Sequence, residues 1–300
     1  MAGVASTLAA AQRELGHEAH VLETWKLSVS YPHDYEFYYG KGLTEDLRLM
    51  RKAIRVGLDH DVIHVHGGIA RKRLDLLWLG TRRPMLVEYH GSDVREGYGL
   101  HYRWLAKKKI VASPDMTLQV PGSEFVPNPV QPMDPVFDMA EQPTVVHMPT
   151  VREKKGTDLI LSAVTELKKE SAGFKFDLIE NVPRDEAMWR LGRAHILIDQ
   201  VVDEKVSGIP GLIGMTSLEA MALGKAAVCH VDPEWLKWYP GIPIVNTAVD
   251  KDDLKSVLRR LIADLGETRK IGLAGNEYVK KYHSPQALAK RFIGLYESIL

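Results

Sequence analysis

Short runs of apolar, often β-branched residues alternate along the chain with longer stretches whose apolar positions recur at helical spacing. This alternation is typical of a parallel β-sheet covered by helices, an α/β fold. In the first half of the chain, the pattern predicts helices at 5–15, 43–57 and 100–108. It predicts strands at 20–22, 62–65, 86–89, 110–111 and 117–120.

The same alternation resumes after a proline-rich segment at 126–135. Repeated prolines remove backbone donors and prevent helix and ladder formation, so we place an interdomain linker there. We therefore expect one domain at 1–130 and a second at 131–284, with a terminal helix at 285–300. In the second domain the predicted strands are 144–147, 176–179, 196–198, 226–229 and 244–245. Its predicted helices are 157–169, 185–191, 216–223, 251–265 and 267–282.

The beginning of the chain departs from a regular α/β unit. A Rossmann-like half normally opens with a strand that feeds a glycine-containing turn, whereas here Gly3 and Val4 lead directly into a helix. We therefore expect the first domain to lack its first strand. Either that strand has been lost or the sheet is closed in another way.

Composition narrows the functional classes. A chain of 300 residues accommodates two domains of similar size, and 39 basic residues balance 39 acidic ones, which gives no global field for nucleic acid. A single cysteine, the absence of a bilayer-spanning apolar run and the absence of a signal-peptide pattern favour a cytoplasmic protein. Basic runs at 71–73, 82–83 and 107–109 are typical of a solvated surface, with weak peripheral contact to an anionic membrane as the alternative.

The segment 210–225 combines a glycine-bearing turn with a helix start. Such a turn directs free backbone N–H groups and the positive end of the helix dipole toward a ligand, which suits a diphosphate. Gly214, Met215 and Thr216 would face that ligand, and Glu219, one turn into the helix, could accept the hydroxyls of a ribose. The alternative is a helix packed on a sheet, with Glu219 as a favourable first-turn acid.

Cations follow the predicted strand 144–147. Arg152 and Lys155 precede Gly156, where a helix begins, and ligands bind at the carboxyl ends of strands in open α/β sheets. An arginine can grip phosphate oxygens with two donors and a lysine supplies a point charge. A solvated basic turn explains the same residues equally well.

Histidines mark the strand ends in the first half. His90 ends a strand, with Asp93 close behind, and could contact a sugar; the alternative is a histidine satisfied by loop backbone groups. His64 and His66 alternate on a strand and point to one face. They could hold a metal, but no partner with ligand spacing is evident, so we expect them to line a cleft or to lie satisfied in the core.

Taken together, these segments resemble the family-4 glycosyltransferases of GT-B fold over nearly the whole chain. The most specific match is Ser217-Leu-Glu-Ala-Met-Ala-Leu-Gly-Lys, similar to the family's Leu-Glu-Ala-Met-Ala-x-Gly-x-Pro. Further matches are the glycine loop, helix and second strand at 2–23, the Asp-Val-Ile-His-x-His strand at 61–68, the loop at 90–93 and the Lys-Gly at 155–156. The resemblance implies two Rossmann-like domains facing across a cleft, the first on the acceptor side and the second binding the donor. It also implies that the terminal helix crosses back to the first domain.

The resemblance implies a function as well: transfer of a sugar from a nucleotide-diphosphate donor with retention of configuration and without metal or other cofactor. Arg152 and Lys155 would neutralise the diphosphate, Glu219 would hold the ribose, and Gly214 would approach phosphate and sugar. On the first domain, His90 would contact the transferred sugar and the loop at Gly3 would face phosphate or acceptor. The acceptor is left open among glycans, lipid-linked sugars and small molecules.

One departure from the family concerns the sugar. The family carries two glutamates eight positions apart, and the position eight before Glu219 is Gly211. Asp199 and Gln200, which end the preceding strand, could substitute. Two alternatives therefore remain beside the transferase: a nucleotide-sugar or glycan-binding scaffold with little or no turnover, and a nucleotide-sugar epimerase of the same fold.

Overall fold

The computed structural model describes residues 3–24, 31–38, 40, 42–67, 74–91, 94, 104–136, 142–170 and 173–300. Its strands are β1 Leu22–Glu23, β2 Tyr35–Glu36, β3 Ile63–His66, β4 Met85–Tyr89, β5 Ala106–Val111, β6 Glu124–Phe125, β7 Thr144–His147, β8 Lys175–Leu178, β9 Ile196–Ile198, β10 Ala226–Cys229 and β11 Val245–Asn246. Its α-helices are α1 Val4–Glu14, α2 Leu43–Leu58, α3 Leu74–Thr81, α4 Arg152–Lys155, α5 Thr157–Glu170, α6 Arg184–Gly192, α7 Glu204–Ser207, α8 Met215–Ala222, α9 Pro233–Leu236, α10 Lys251–Ala263, α11 Leu265–Tyr282 and α12 Pro285–Glu297.

The chain divides into two compact units. The first contains residues 1–129 together with 285–300, and the second contains residues 130–284. Every described strand pair in both units is parallel. The predicted α/β class with parallel sheets is therefore confirmed, whereas the acceptor-side and donor-side roles of the two domains stay predictions.

The first unit has a four-stranded sheet in the order β3-β4-β5-β6 and a separate ladder of β1 with β2. Helix α12 packs against α1, and both contribute to a core that includes Leu8, Leu86, Ile110 and Phe292. Gly3, in a left-handed conformation, is the N-cap of α1.

The second unit has one five-stranded sheet in the order β11-β10-β9-β7-β8. Numbered within the unit, this order is 5-4-3-1-2, a doubly wound arrangement in which the direction of winding reverses between β7 and β9. Its core is formed by β-branched and aliphatic residues of the central strands and the flanking helices, among them Val145, Ile160, Ile196 and Leu258. Ligands of such sheets bind at the reversal, outside the carboxyl ends of the two strands.

Two local predictions in the first unit are wrong. The expected helix 100–108 overlaps β5, which begins at Ala106 and pairs with both β4 and β6. Pairing on both edges outweighs the helix preference of its three lysines. No strand forms at 117–120: residue 117 ends a 3₁₀ turn, Pro114–Thr117, and a turn and a bend follow it. The proline at the first position of Pro114–Thr117 favours the start of a helical turn.

No described helix is long and apolar enough to cross a membrane.

Candidate functional site

The winding reversal of the second unit brings a lysine to a buried aspartate. Lys155, the last residue of α4, follows β7, and Asp199 follows β9 directly. The ammonium of Lys155 donates to Oδ1 of Asp199 over 2.5 Å, and the hydroxyl of Ser217 donates to Oδ2 over 2.8 Å. Two residues predicted from the sequence therefore meet at the place where this type of sheet binds ligands.

The carboxyl group of Asp199 is ionised, because neighbouring side chains stabilise its negative charge. Its side chain is fully buried, and burial by itself raises the pKa of a carboxyl group. The charge and hydrogen bond of Lys155, together with the hydrogen bond from Ser217, outweigh burial and hold the pKa of Asp199 below its ordinary value. Asp199 is consequently an anion that fixes the position of Lys155, and it is closed to direct contact with a ligand.

Gly214 lies against this pair. A Cβ at this position would stand 2.6 Å from Oδ2 of Asp199 and 3.3 Å from Nζ of Lys155, so only glycine fits without displacing them. Gly214 is also the N-cap of α8, and no described side chain caps that helix end. The N–H groups of Met215 and Thr216, in the first turn, therefore lie beside the Lys155 ammonium. A lysine and an uncapped helix N-terminus side by side can hold an anion.

Two further predicted residues shape the loops around Lys155. Gly156 ends α4 in a left-handed conformation with φ of 68°, and a Cβ there would lie 2.0 Å from the carbonyl oxygen of Val201. The side-chain amide of Gln200 donates to the carbonyl of Leu212, and its oxygen lies 3.5 Å from Nζ of Lys155. Gly156 and Gln200 thus position the lysine and the loop that leads to α8.

Arg152 and Glu219 make other contacts. The guanidinium of Arg152 donates through two nitrogens to Glu180, which follows β8, and its side chain is half exposed. Glu219 is mostly buried on α8 and accepts a hydrogen bond of 2.6 Å from Arg184. Within the described part of the chain, neither residue shares a hydrogen bond with the Lys155–Asp199 pair. Their predicted roles toward diphosphate and ribose stay predictions.

The position that lacks a glutamate is packed against another carboxylate. The N–H of Gly211 donates to Oδ2 of Asp232 over 2.8 Å, and a Cβ at Gly211 would lie 3.0 Å from the same oxygen. Asp232 is partly exposed and is paired with His230 at 3.2 Å. Asp232 was not found from the sequence, because it lies 21 residues beyond Gly211 and no motif marks it.

The predicted residues of the first unit fall into different environments. His90 follows β4, and its Nδ1 lies 3.2 Å from Oδ1 of Asn128. Gly3 has φ of 70° and lies under the ring of Tyr31, while the side chain of Val4 is buried in the core. Only the backbone of Val4 is therefore left for a ligand. Asp93 and the basic run 71–73 lie outside the described residues.

The histidines of the first unit surround a buried carboxylate that sequence spacing did not reveal. Glu88 on β4 is in register with His66 on β3, and its side chain is fully buried. Burial favours the neutral acid, but nearby His90, His64 and His66 hold the pKa of Glu88 well below its ordinary range. Burial and the neighbouring His66 lower the pKa of His64 to about 4.

Cys229 is a free thiol in an apolar strand. It is fully buried in β10, and burial raises the pKa of its thiol. A nucleophile requires a lowered thiol pKa and access to the substrate. Cys229 has neither.

Comparisons with solved structures identify the architecture. A glycosyltransferase from Rickettsia africae superposes with a TM-score of 0.67 at 12% identity, over 99% of this chain and 94% of that one. The Anabaena protein HepE in complex with UDP and glucose gives 0.64 at 11% identity, over 99% and 96%. The chain has a GT-B fold.

Another similar structure is named for a different reaction. A putative UDP-N-acetylglucosamine 2-epimerase from Listeria monocytogenes superposes with a TM-score of 0.60 at 13% identity, over 99% of this chain and 92% of that one. No protein-family profile and no curated protein matches the sequence. At these identities the likeness establishes the fold, and the reaction has to be argued from the residues.

Proposed function

We propose that the chain is a retaining glycosyltransferase whose second unit binds the diphosphate of a nucleotide-sugar donor. The observation that carries the proposal is the position of Lys155, held by Asp199 beside the uncapped N-terminus of α8 at the winding reversal of the sheet. A cation and free backbone N–H groups at this point match the charge and the oxygen acceptors of a diphosphate.

The diphosphate charge can be neutralised by protein groups. In the proposal, Lys155 and the first turn of α8 contact the phosphate oxygens, with Met215 and Thr216 donating through their backbone N–H groups. Arg152 joins them by leaving Glu180, an ion pair that is exposed to water and therefore weak. The donor site then requires no metal ion for the diphosphate.

Glu219 is assigned to the ribose hydroxyls. Its present partner, Arg184, is two-thirds exposed, so this ion pair contributes less than about 1 kcal/mol. A ribose that donates two hydroxyl hydrogens to the carboxylate can therefore displace the arginine.

Asp232 is assigned to the sugar, in the role that the missing glutamate at Gly211 would have. The alternative from the sequence, Asp199, is fully buried and saturated by Lys155 and Ser217. Asp232 is partly exposed and is held at Gly211 by a backbone hydrogen bond. His90 and Asp93 keep their predicted roles toward the transferred sugar, and Gly3 and Val4 toward phosphate or acceptor.

The proposal is tested by turnover. The purified chain is incubated with UDP-, GDP- and ADP-sugars and a panel of glycan, lipid-linked and small-molecule acceptors, with and without added Mg²⁺. NMR of the product reads its anomeric configuration. We expect transfer with retention from one donor class, independent of Mg²⁺.

Matched variants connect turnover to the proposed residues. Asp232→Asn should reduce kcat at least tenfold, whereas Glu234→Gln, an exposed change two residues further on, should leave kcat unchanged. Inversion of configuration, or equal rates in the Asp232 and Glu234 variants, would overturn these assignments.

Two alternative functions have their own observations. Gly211 in place of a glutamate favours a nucleotide-sugar-binding scaffold, which predicts donor binding without transfer or hydrolysis. The likeness to a protein named as a 2-epimerase favours an epimerase, which predicts conversion of the donor when no acceptor is present. The same NMR assay distinguishes the three functions.

A further inference from the structure

Three side chains of the first unit converge on one point beside the sheet. His64 and His66 alternate on β3 and so point to one face, and the parallel register places Glu88 next to His66. Oε2 of Glu88 lies 3.2 Å from Nε2 of His64 and 3.1 Å from Nδ1 of His66. All three ligand-type atoms lie within 4.8 Å of one another.

The carboxylate at the centre has no hydrogen-bond donor among the described residues. Both oxygens of Glu88, and Nε2 of His64, are buried and lack a partner in hydrogen-bond geometry within the described part of the chain. The short distances to the histidines therefore reflect atoms that face a common point and are poorly aligned for hydrogen bonds with each other. A buried carboxylate is normally saturated with donors or bound to a cation, so this one requires a partner.

The distances agree with a shared cation. Zinc binds histidine nitrogen and carboxylate oxygen at about 2.0–2.2 Å, which places tetrahedral ligand atoms roughly 3.3 Å apart. The two measured separations from Glu88 are within about 0.2 Å of that value. Two imidazoles and one carboxylate form a donor set that binds zinc and similar transition metals in preference to Mg²⁺ or Ca²⁺.

The surroundings of His64 suit a metal ligand. Its other ring nitrogen, Nδ1, lies 2.7 Å from the hydroxyl oxygen of Tyr296, which also accepts a hydrogen bond from the side-chain amide of Gln12. With Nδ1 donating to Tyr296, the lone pair of Nε2 points toward Glu88, and metal-binding histidines are commonly oriented by such an outer hydrogen bond. His66 is about one-seventh exposed, which leaves an entry path.

We infer that His64, His66 and Glu88 form a binding site for a divalent transition-metal ion such as zinc. All three residues belong to the first unit. His90 lies next to this group, with its Nε2 3.4 Å from Nδ1 of His66.

A second group of possible ligands serves as an internal control. Glu18, His20 and His60 also lie within ligand distance of one another in the described part of the chain. There, Nδ1 of His20 and Nε2 of His60 share a hydrogen bond of 2.8 Å, and the side chain of Glu18 is three-quarters exposed. The two histidines are satisfied by each other and the Glu18 side chain lies mostly in solvent, so the histidine pair needs no metal.

The test is zinc binding by the full chain after removal of metal with a chelator. We expect one zinc ion per chain in equilibrium dialysis with metal analysis, a higher melting temperature with zinc, and the visible absorption of tetrahedral Co²⁺ when cobalt replaces it. His66→Gln and Glu88→Gln should each weaken zinc binding at least tenfold and abolish the cobalt spectrum. His60→Gln should leave both unchanged.

Circular dichroism and thermal unfolding establish that each variant is folded. If Glu88→Gln does not fold, His66→Gln decides the question, because the His66 ring is near the surface. The inference is overturned if the wild-type chain binds no zinc at about 1 μM free metal, a concentration that saturates typical structural sites. It is equally overturned if His66→Gln retains the wild-type stoichiometry and spectrum, or if His60→Gln is the variant that loses them.

Discussion

The two units each contain a fully buried carboxylate near the end of a parallel strand, and the two carboxylates differ in their partners. Asp199 in the second unit receives hydrogen bonds from a lysine and a serine. Glu88 in the first unit is surrounded by histidines, none of which donates to it in good geometry among the described residues. The described residues thus supply hydrogen-bond donors to the carboxylate of Asp199 and supply none in good geometry to the carboxylate of Glu88.

This difference separates two uses of a buried charge. Asp199 has its counterion within the chain, so it can position Lys155 for an external anion. Glu88 lacks a permanent cation, so it can bind an external one. A buried carboxylate therefore indicates a ligand only after its donors have been assigned.

Removing the lysine should have the largest effect. In Lys155→Met, Asp199 remains buried without its counterion, and such a loss typically costs about 3–5 kcal/mol in the free energy of unfolding. The matched control, Lys154→Met, changes an exposed residue one position earlier and should cost less than about 0.5 kcal/mol. Urea denaturation measures both. Equal stabilities for the two variants would mean that Asp199 does not depend on Lys155.

Substitution of Gly156, the glycine after Lys155, should have the second-largest effect on stability. Gly156→Ala strains a left-handed residue and also drives Cβ into the carbonyl of Val201, so we expect a loss of at least about 2 kcal/mol. Gly208→Ala is the control, because Gly208 has the same φ of 68° and open space around it. That variant should lose only the conformational cost of about 1 kcal/mol. If both variants lose the same amount, the close approach to Val201 does not constrain Lys155.

Acid should affect the Asp199 pair in a defined direction. Because the folded pKa of Asp199 is lowered, its contribution to stability is complete above the unfolded pKa of about 3.9 and is lost as the pH falls through the folded value. Unfolding measured between about pH 5 and pH 3 should therefore be steeper in pH for the wild type than for Lys155→Met/Asp199→Asn. Parallel curves would show that Asp199 is not ionised in the folded chain.

The exposed pair of Arg184 and Glu219 should have the smallest effect on stability. Arg184→Ala removes a two-thirds exposed partner and should change the free energy of unfolding by less than about 1 kcal/mol. The small loss of stability would distinguish Glu219 from Asp199 and Glu88, because Glu219 is held only by an exposed arginine before a ligand binds. A loss above about 3 kcal/mol in the free energy of unfolding would mean that this pair behaves as a buried ion pair, like that of Asp199.

The sequence predicts the second unit more accurately than the first. Strands 144–147, 196–198 and 226–229 have the predicted bounds, because each is a short apolar run between clear helices. In the first unit, the lysines of β5 conceal a strand whose pairing on both edges is a property of the sheet. The local pattern of apolar residues is sufficient to predict a strand that is buried along its whole length. It fails for a strand whose formation depends on pairing with residues distant in sequence.

The candidate site shows the same limit. Lys155, Gly214 and Glu219 can be proposed from the sequence because they lie beside helix starts with a recognisable pattern. Asp232 and Glu88 are missed because their contacts join separate strands or loops. The order of the strands determines those contacts, and no spacing along the chain encodes it.

The most direct test of the central claim is calorimetry with UDP, GDP and ADP, without added divalent metal, on the wild type and Glu219→Ala. Glu186→Ala, an exposed change on α6, is the control. We expect one diphosphate to bind the wild type and Glu186→Ala equally, and to bind Glu219→Ala at least tenfold more weakly, a difference of about 1.4 kcal/mol. Binding of none of the three nucleotides, or equal binding to Glu219→Ala, would contradict a nucleotide site at the winding reversal of the second unit.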